Sequence, residues 1–493
     1  MTTTTALGKS EPEHHEHEHA QNRFAVIPTP LRLNADTART GKGVTIAFLD
    51  SGFYPHSDLT EPVDRIIAFE DVSGLGAPLT ANNRPQGWDW HGTQTTVAAC
   101  GNGYLSTGVY RGLASDARLV LIKASAQGKI TEETIARGIR WVIENKDRYD
   151  IRILSISLGG DGDAPYRESQ IDQAAEEAVA SGITVVAAAG NSGCAERHTT
   201  VPPANSPSVI TVGGYNDKNL LGNQDYDLYC SSYGATVDGH IKPEIIAPAI
   251  WIAAPILPET EAYKIAEALS QIAAAPDYQI AGLARDLWRQ AGLPGTLSGE
   301  DPDQVRAAVD GLLRENKIVA THYQHVDGTS FAAPIVSSVV AQMLEANPKL
   351  SPAAVKDILI STADRIAGAP VARQGYGVLN ARAAVERAAR ETHSLDQTQM
   401  RPPQMIEGKL VFLYHDDAAR SVSLAGDFNR WNPTGAQLAR GAYGIWRAEI
   451  DALPPGRYRY KFVIDESRWM EDPRNTFKEP DQYGGLNSVL TIN

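Results

Sequence analysis

Three short segments, far apart in the chain, present residue types that together perform acyl transfer. Ile-Ala-Phe-Leu-Asp-Ser-Gly closes an apolar run on Asp50 and follows it with the small residues Ser51 and Gly52. Trp-Asp-Trp-His-Gly-Thr sets His91 ahead of Gly92 and Thr93, at the start of a small-residue helix. Asp-Gly-Thr-Ser-Phe-Ala-Ala-Pro puts Ser330 at the mouth of an apolar helix. A serine hydroxyl is a poor nucleophile until an adjacent imidazole accepts its proton. A carboxylate then holds that imidazole in the useful tautomer and stabilises its charged form. The tetrahedral intermediate further needs preorganised donors for its oxyanion. Ser330 offers a backbone N–H where the helix dipole favours negative charge. Asn191, in Ala-Ala-Gly-Asn-Ser-Gly after an apolar strand, offers a side-chain amide to the same oxygen. Taken singly, Asp50 reads as a strand-end turn residue and Ser330 as a helix cap. The set, in this order, predicts nucleophile, base and orienter.

The elements that must position these groups follow from the pattern around them. Residues 43–50, 117–124, 151–159, 182–190 and 208–214 are rich in Val, Ile and Leu and stop at Gly or Asp, as buried strands do. Between them, 132–146 and 168–182 read as amphipathic helices, with Gly182 as a stop. Strand and helix in alternation predict a doubly wound, mostly parallel α/β sheet, whose reactive groups collect at the carboxyl ends of the strands. Residues 257–325 break this rhythm with two expected helices, 261–275 and 301–316, the second capped by Asp301 with Pro302 just inside. They are expected to form a helical insertion within a peptidase-like unit of residues 25–390. Residues 391–405 are polar and Pro-containing, a linker. From 406 to 493 alternating aromatic and polar residues with Pro-Gly and Gly-Gly turns predict an immunoglobulin-like β-sandwich.

At 493 residues the chain exceeds one ordinary core. Its net charge of −14 argues against the phosphate backbone of nucleic acid as a partner. The sequence has no apolar run of about 18 residues, so no membrane span is expected. Residues 1–24 are polar, charged and expected to be disordered, and His14, His15, His17 and His19 there read as a solvated tail. The same stretch lacks the basic start and apolar core of a secretory signal. Cys100, Cys194 and Cys230 are an odd, sparse set. A Cys194–Cys230 pair is one reading, free thiols in a reducing cytoplasm the favoured one, and a cytoplasmic location is expected.

The three motifs, Asp-Ser-Gly, His-Gly-Thr and Gly-Thr-Ser-x-Ala-x-Pro, with Ala-Ala-Gly-Asn between the last two, resemble the subtilases over residues 25–390. The order Asp, His, Ser also matches that family and differs from chymotrypsin-like and α/β-hydrolase enzymes. The resemblance implies a serine endopeptidase with Asp50, His91 and Ser330 as triad and Asn191 at the oxyanion. It implies that Ser157, Leu158 and Gly159 pair as a strand with extended or unfolded protein substrates, and that Gly190 walls the pocket for the residue before the cut. Two positions depart from the pattern: Gln94 replaces a second histidine that is not the general base, and Ser338 stands where Ala or Gly is usual. Neither removes a catalytic group. The chemistry requires no cofactor. Calcium is common in the family, and Asp58 with the loop 101–112 is the candidate here, but one carboxylate does not supply six to eight oxygens, so no metal ligand is assigned.

In the C-terminal part, Gly-Asp-Phe-Asn-Arg-Trp, Tyr-Lys-Phe-Val-Ile-Asp and Asp-Pro resemble the glycogen-binding module of the AMP-activated kinase β subunit, and the early-set sandwiches of branching and debranching enzymes. The resemblance puts Trp431 and Trp469 as platforms for sugar rings, with Lys461 and Asn487 bonding the hydroxyls. Glycogen or a starch-like α-glucan is the implied ligand, a purely structural sandwich the alternative. The sequence as a whole reads as a glucan-tethered endopeptidase. Its rivals are a catalytically silent glycan-binding adaptor, and a latent protease regulated by a partner at the insertion.

Overall fold

The computed structural model describes residues 25–493 apart from 77–78, 80–83, 163, 197, 223–224, 298–300, 392–402, 407, 417, 442–443, 476 and 493. The expected tail, with its four histidines, and most of the expected linker lie outside the described residues. Within them, the chain separates into two compact units: residues 27–260 with 322–493, and a second formed around 261–321.

The first unit is built on a parallel sheet whose strands are β1 (Thr45–Asp50), β2 (Ile66–Asp71), β3 (Arg118–Lys123), β4 (Ile151–Ile156), β5 (Thr184–Ala188), β6 (Ile210–Asn216) and β7 (Ile245–Pro248). Their order across the sheet is β7-β6-β5-β4-β1-β3-β2. The five apolar runs picked out above are five of these strands. β2 and β7 escaped notice, since β2 is only half-buried and charged at its end and β7 is four residues long. Helices Glu132–Tyr149 and Gln170–Ala180 cover one face around Leu49, Ile122, Ile139, Leu154 and Ile156. Helices Asp89–Cys100 and Thr329–Ala346 cover the other around Ile46, Phe48, Val186, Val336 and Val340. The Thr329–Ala346 helix is buried on nearly every side, which explains why its sequence is apolar all round rather than striped. The order reverses at β1, and Asp50 is its last residue, so the crevice that α/β sheets open at such a point begins at a carboxylate.

The C-terminal part is an antiparallel sandwich. Residues 404–406, 409–415, 445–451 and 439–440 form one sheet, and 422–426, 456–464, 486–492, 478–480 and 468–470 the other. Alternation in Gly456–Ile464 sends Tyr460, Phe462 and Ile464 into a core shared with Phe412, Leu424 and Trp446. Arg365 pairs with Glu471 at 2.6 Å and Arg474 lies 3.3 Å from Asp357, tying the sandwich to the protease-like body.

The second unit holds three helices among its described residues, Glu261–Ala274, Asp277–Ala291 and Pro302–Glu315, where two were expected. The sequence pattern did not predict the middle one, although Pro276 stands just before its start and Gly292, at φ 70°, ends it in the left-handed region. Asp301 caps the last helix by accepting from the Asp303 amide at 3.2 Å. In the first unit the chain leaves and returns on neighbouring antiparallel strands, Ile252–Pro255 and Tyr323–Val326. Beyond them the Ile256 amide donates to the His322 carbonyl at 2.9 Å. No helix among the described residues is long and apolar enough to cross a membrane.

Candidate active site

The Asp50 strand and the His91 helix approach more closely than side chains allow. A Cβ on Gly92 would fall 2.3 Å from the Gly52 carbonyl oxygen, and one on Gly52 would meet the Asp89 carboxylate at 2.5 Å. Both glycines are therefore required by close approach. That approach brings His91 Nδ1 to 2.7 Å from Asp50 Oδ1. The Ser51 amide, at 2.7 Å, and the Thr95 hydroxyl, at 3.2 Å, also donate to the Asp50 carboxylate, which is 1% exposed. Thr95 escaped the sequence reading, though it lies one helical turn beyond His91 and so shares its face. Burial disfavours the imidazolium, but the charge and hydrogen bond of Asp50 outweigh it and hold the His91 pKa above the usual value.

The His91 ring also packs near Phe331, with centroids 6.0 Å apart, and this residue follows Ser330 directly. The Ser330 helix begins at Gly328, whose φ of 140° turns the chain into it. Pro334 sits one turn in and has no N–H to give to the Ser330 carbonyl. The Ser157 hydroxyl donates to that carbonyl instead, at 2.8 Å. The serine of the Ser-Leu-Gly segment and the proline of the Gly-Thr-Ser motif thus complete one hydrogen bond between them.

Asn191 is held from behind. Its Oδ1 accepts from the Thr329 amide and hydroxyl, both at 3.0 Å. This fixes which end of the amide is which, and leaves Nδ2 over Gly328, at 3.7 Å from where a Cβ there would lie. Gly190 has φ 98°, its amide donates to Thr329 Oγ1 at 3.2 Å, and its carbonyl accepts from Ser232 at 2.9 Å. The structure therefore gathers Gly190, Asn191, Thr329 and Ser157 around the start of the Ser330 helix. Leu158 and Gly159 continue from the end of β4, and Gly159 abuts Val201 so closely that a Cβ would lie 2.7 Å from it.

Cys194 and Cys230 form a disulfide, Cα to Cα 5.2 Å, contrary to the expectation of free thiols. The Gly193 amide donates to the Cys230 carbonyl at 2.9 Å, so the two loops are already aligned backbone to backbone. A separation of 36 residues in sequence carries no trace of that proximity. The bond staples the loop bearing Asn191 and removes one support for a reducing compartment. Cys100 is free and buried, with burial pushing its thiol up to about 12.

Gln94 is buried and donates to the Pro255 carbonyl at 2.9 Å, and Ser338 turns its hydroxyl back to Ile335 at 2.6 Å, so both departures from the motif are absorbed in packing. The calcium candidate does not fit the ion. Asp58 accepts from the Tyr323 hydroxyl at 2.6 Å and the Leu105 amide at 3.0 Å, so its oxygens face protons. No group of three or more His, Cys, Asp or Glu among the described residues is arranged to hold a metal.

The subtilase family profile matches residues 41–377. The chain belongs to the subtilase family. Serine protease AprX of Bacillus subtilis (strain 168) is 33% identical to this subtilase over 350 residues, 69% of this chain and 66% of AprX. Subtilisin E of the same strain is 27% identical over 76% of this chain and 74% of that protein. A solved protease of Pseudoalteromonas arctica PAMC 21717 overlaps 75% of this chain and 96% of its own at 22% identity, with a TM-score of 0.49. The fold assignment rests on the strand order and the family match.

Residues 400–478 match carbohydrate-binding module 48, the isoamylase N-terminal domain, so the subtilase carries a carbohydrate-binding module at its C-terminal side. Trp431 and Trp469 lie with ring centroids 6.4 Å apart and planes 33° from parallel. The Trp431 indole donates to Asp427 at 3.0 Å, and Trp469 is 42% exposed. Strand pairing sets Trp469 opposite Val463, and Lys461 and Asn487 fall on the same sheet face, the one turned away from the Tyr460 and Phe462 core. Lys461 is ion-paired to Asp481 and Asn487 is buried, so both are already engaged within the sandwich.

Proposed function

We propose that this subtilase is a serine endopeptidase that cuts extended or unfolded protein through Ser330. The observation that carries the reading is the 2.7 Å contact of His91 Nδ1 with a buried Asp50, on a ring that also packs near Phe331, the residue after Ser330. With Nδ1 committed to Asp50, Nε2 is the nitrogen left to take the Ser330 proton. Ser330 Oγ then attacks the carbonyl carbon, and the carbonyl oxygen takes up the electron pair as an oxyanion. The Ser330 amide and Asn191 Nδ2 stabilise it. The C–N bond breaks, His91 protonates the leaving amine, and an acyl-enzyme remains. Water, deprotonated by His91, repeats the sequence and returns Ser330. Ser157, Leu158 and Gly159 extend the end of β4 as a strand for the substrate backbone, which favours broad sequence tolerance. Incubation with a denatured protein and mapping of the cut sites tests this. Wild type yields internal cuts and Ser330→Ala none; equal cleavage by both rejects it. A fluorophosphonate that labels folded wild type at Ser330 excludes the silent adaptor.

The carbohydrate-binding module supports a second element, tethering to α-glucan. Two tilted tryptophans on an outward sheet face offer apolar surface to sugar rings. Co-sedimentation with amylose is expected for wild type and lost in Trp431→Ala plus Trp469→Ala. Equal recovery of both in the supernatant ends the idea.

A further inference from the structure

Between the sandwich and the protease body lies a cleft of about 340 Å³. The body lines it with His240, Lys242 and Lys356, the sandwich with Arg474, Asn475 and Lys478. Two carboxylates, Glu244 and Asp357, share the lining, so four cations face two anions. Glu244 accepts from both Lys242 and Lys356 at 2.7 Å, and the same ammonium groups donate to the carbonyls of Ser206, Pro207 and Val209. These two lysines supply field rather than spare donors. Asp357 lies 3.3 Å from Arg474 and 3.5 Å from His415. Lys478 donates to the Tyr376 hydroxyl. Behind it, Glu471 is paired with Arg365 at 2.6 Å, and Asp472 accepts from Tyr460 at 2.7 Å.

His240 is the odd member. It is 7% exposed, packed between Tyr166 and Phe477, and its Nδ1 is buried with no hydrogen-bond partner. A buried polar atom left unmatched is costly, and a ligand is one way to match it. Burial, then the charge of Lys242, press the His240 pKa down to about 4, although Asp238 and Glu244 push the other way. Burial likewise lowers Lys478, and lowers Lys242 to about 8.

We infer that the cleft binds a small phosphate-bearing anion, held by Arg474 and Lys478 of the sandwich and by His240 of the protease body. An excess of two positive charges suits a dianion, and a guanidinium fork suits its oxygens. The neutral imidazole donates one N–H from Nδ1. The cleft is larger than phosphate alone, so it has room for the organic part of a phosphate ester. Because the ligand touches both sides, its binding strengthens docking of the carbohydrate-binding module on the protease.

The test is calorimetric titration of the full chain with inorganic phosphate and with glucose 6-phosphate, at ionic strength held constant with sodium chloride. One equivalent is expected to bind, and Arg474→Gln plus Lys478→Gln to weaken it at least 10-fold. A tighter fit for the ester assigns the remaining space to its organic part, and equal affinity assigns the site to phosphate alone. If neither binds, or the double variant binds as wild type does, the inference fails. Should that variant unfold, His240 decides: its ring-carbon NMR titration in wild type must move to higher pH with saturating phosphate, and an unmoved curve overturns the site.

Discussion

The end of the parallel sheet and the tryptophan face of the sandwich are built in opposite ways. At Asp50 each polar group is held by several others, and the carboxylate is 1% exposed while accepting from Ser51, His91 and Thr95. At Trp431 and Trp469 the receptive surface is left open, with Trp469 42% exposed and a single indole hydrogen bond to Asp427. Proton transfer tolerates little misplacement, so its groups are fixed before substrate arrives. Stacking on a polymer needs flat apolar area within reach of solvent, and its polar neighbours Lys461 and Asn487 can be spent on the sandwich itself. On the proposed function, burial goes with the chemistry and exposure with the attachment.

That contrast can be broken in four ways. The largest effect is expected at Asn191: Asn191→Leu keeps the size but loses the donor, and kcat should fall about 10²–10³-fold with little change in KM. A rise in KM with kcat unchanged would remove Asn191 from the oxyanion. Next is the staple beside it. Cys194→Ser with Cys230→Ser should cost about 2–4 kcal/mol in denaturant unfolding. It should also lower kcat, because the Asn191 loop is freed; unchanged stability and rate would make the bond ornamental. Third, Trp431→Ala with Trp469→Ala should leave soluble-peptide turnover unchanged, and slow cleavage only of protein displayed on amylose. Parallel loss on both substrates would mean that the two regions are not separate.

The smallest is a displacement on the pH axis. Asp50 raises the His91 pKa, and in the proposed mechanism His91 takes a proton only when neutral. Activity therefore falls as pH drops through a value above about 6.5, the ordinary histidine pKa. The acid limb of kcat/KM reads the free enzyme, and a midpoint below that value would contradict the assignment.

Much of the sheet was legible because buried parallel strands are written as continuous Val, Ile and Leu. β1 and β3–β6 have that form, whereas β2, half-buried, and β7, four residues long, do not. The glycines of Asp-Ser-Gly and His-Gly-Thr were visible as motif letters, but their reason, a 2.3 Å approach, exists only once strand end and helix are packed. Ser157 could be read as a strand end and Pro334 as a helix oddity; that one completes the other's missing hydrogen bond is a fact of three dimensions. The disulfide and the basic cleft were illegible for the same cause. Cys194 with Cys230, and His240 with Arg474, become neighbours through loops whose spacing follows no period.

The paired strands Ile252–Pro255 and Tyr323–Val326 give the catalytic unit a closed seam where residues 261–321 depart and come back. Such a seam works as a socket. Changes in length beyond it need not disturb the register leading into Gly328 and Ser330. A chain in which a short turn joins Ile256 to His322 should therefore still fold, and this position is where new cargo is most readily grafted onto the enzyme.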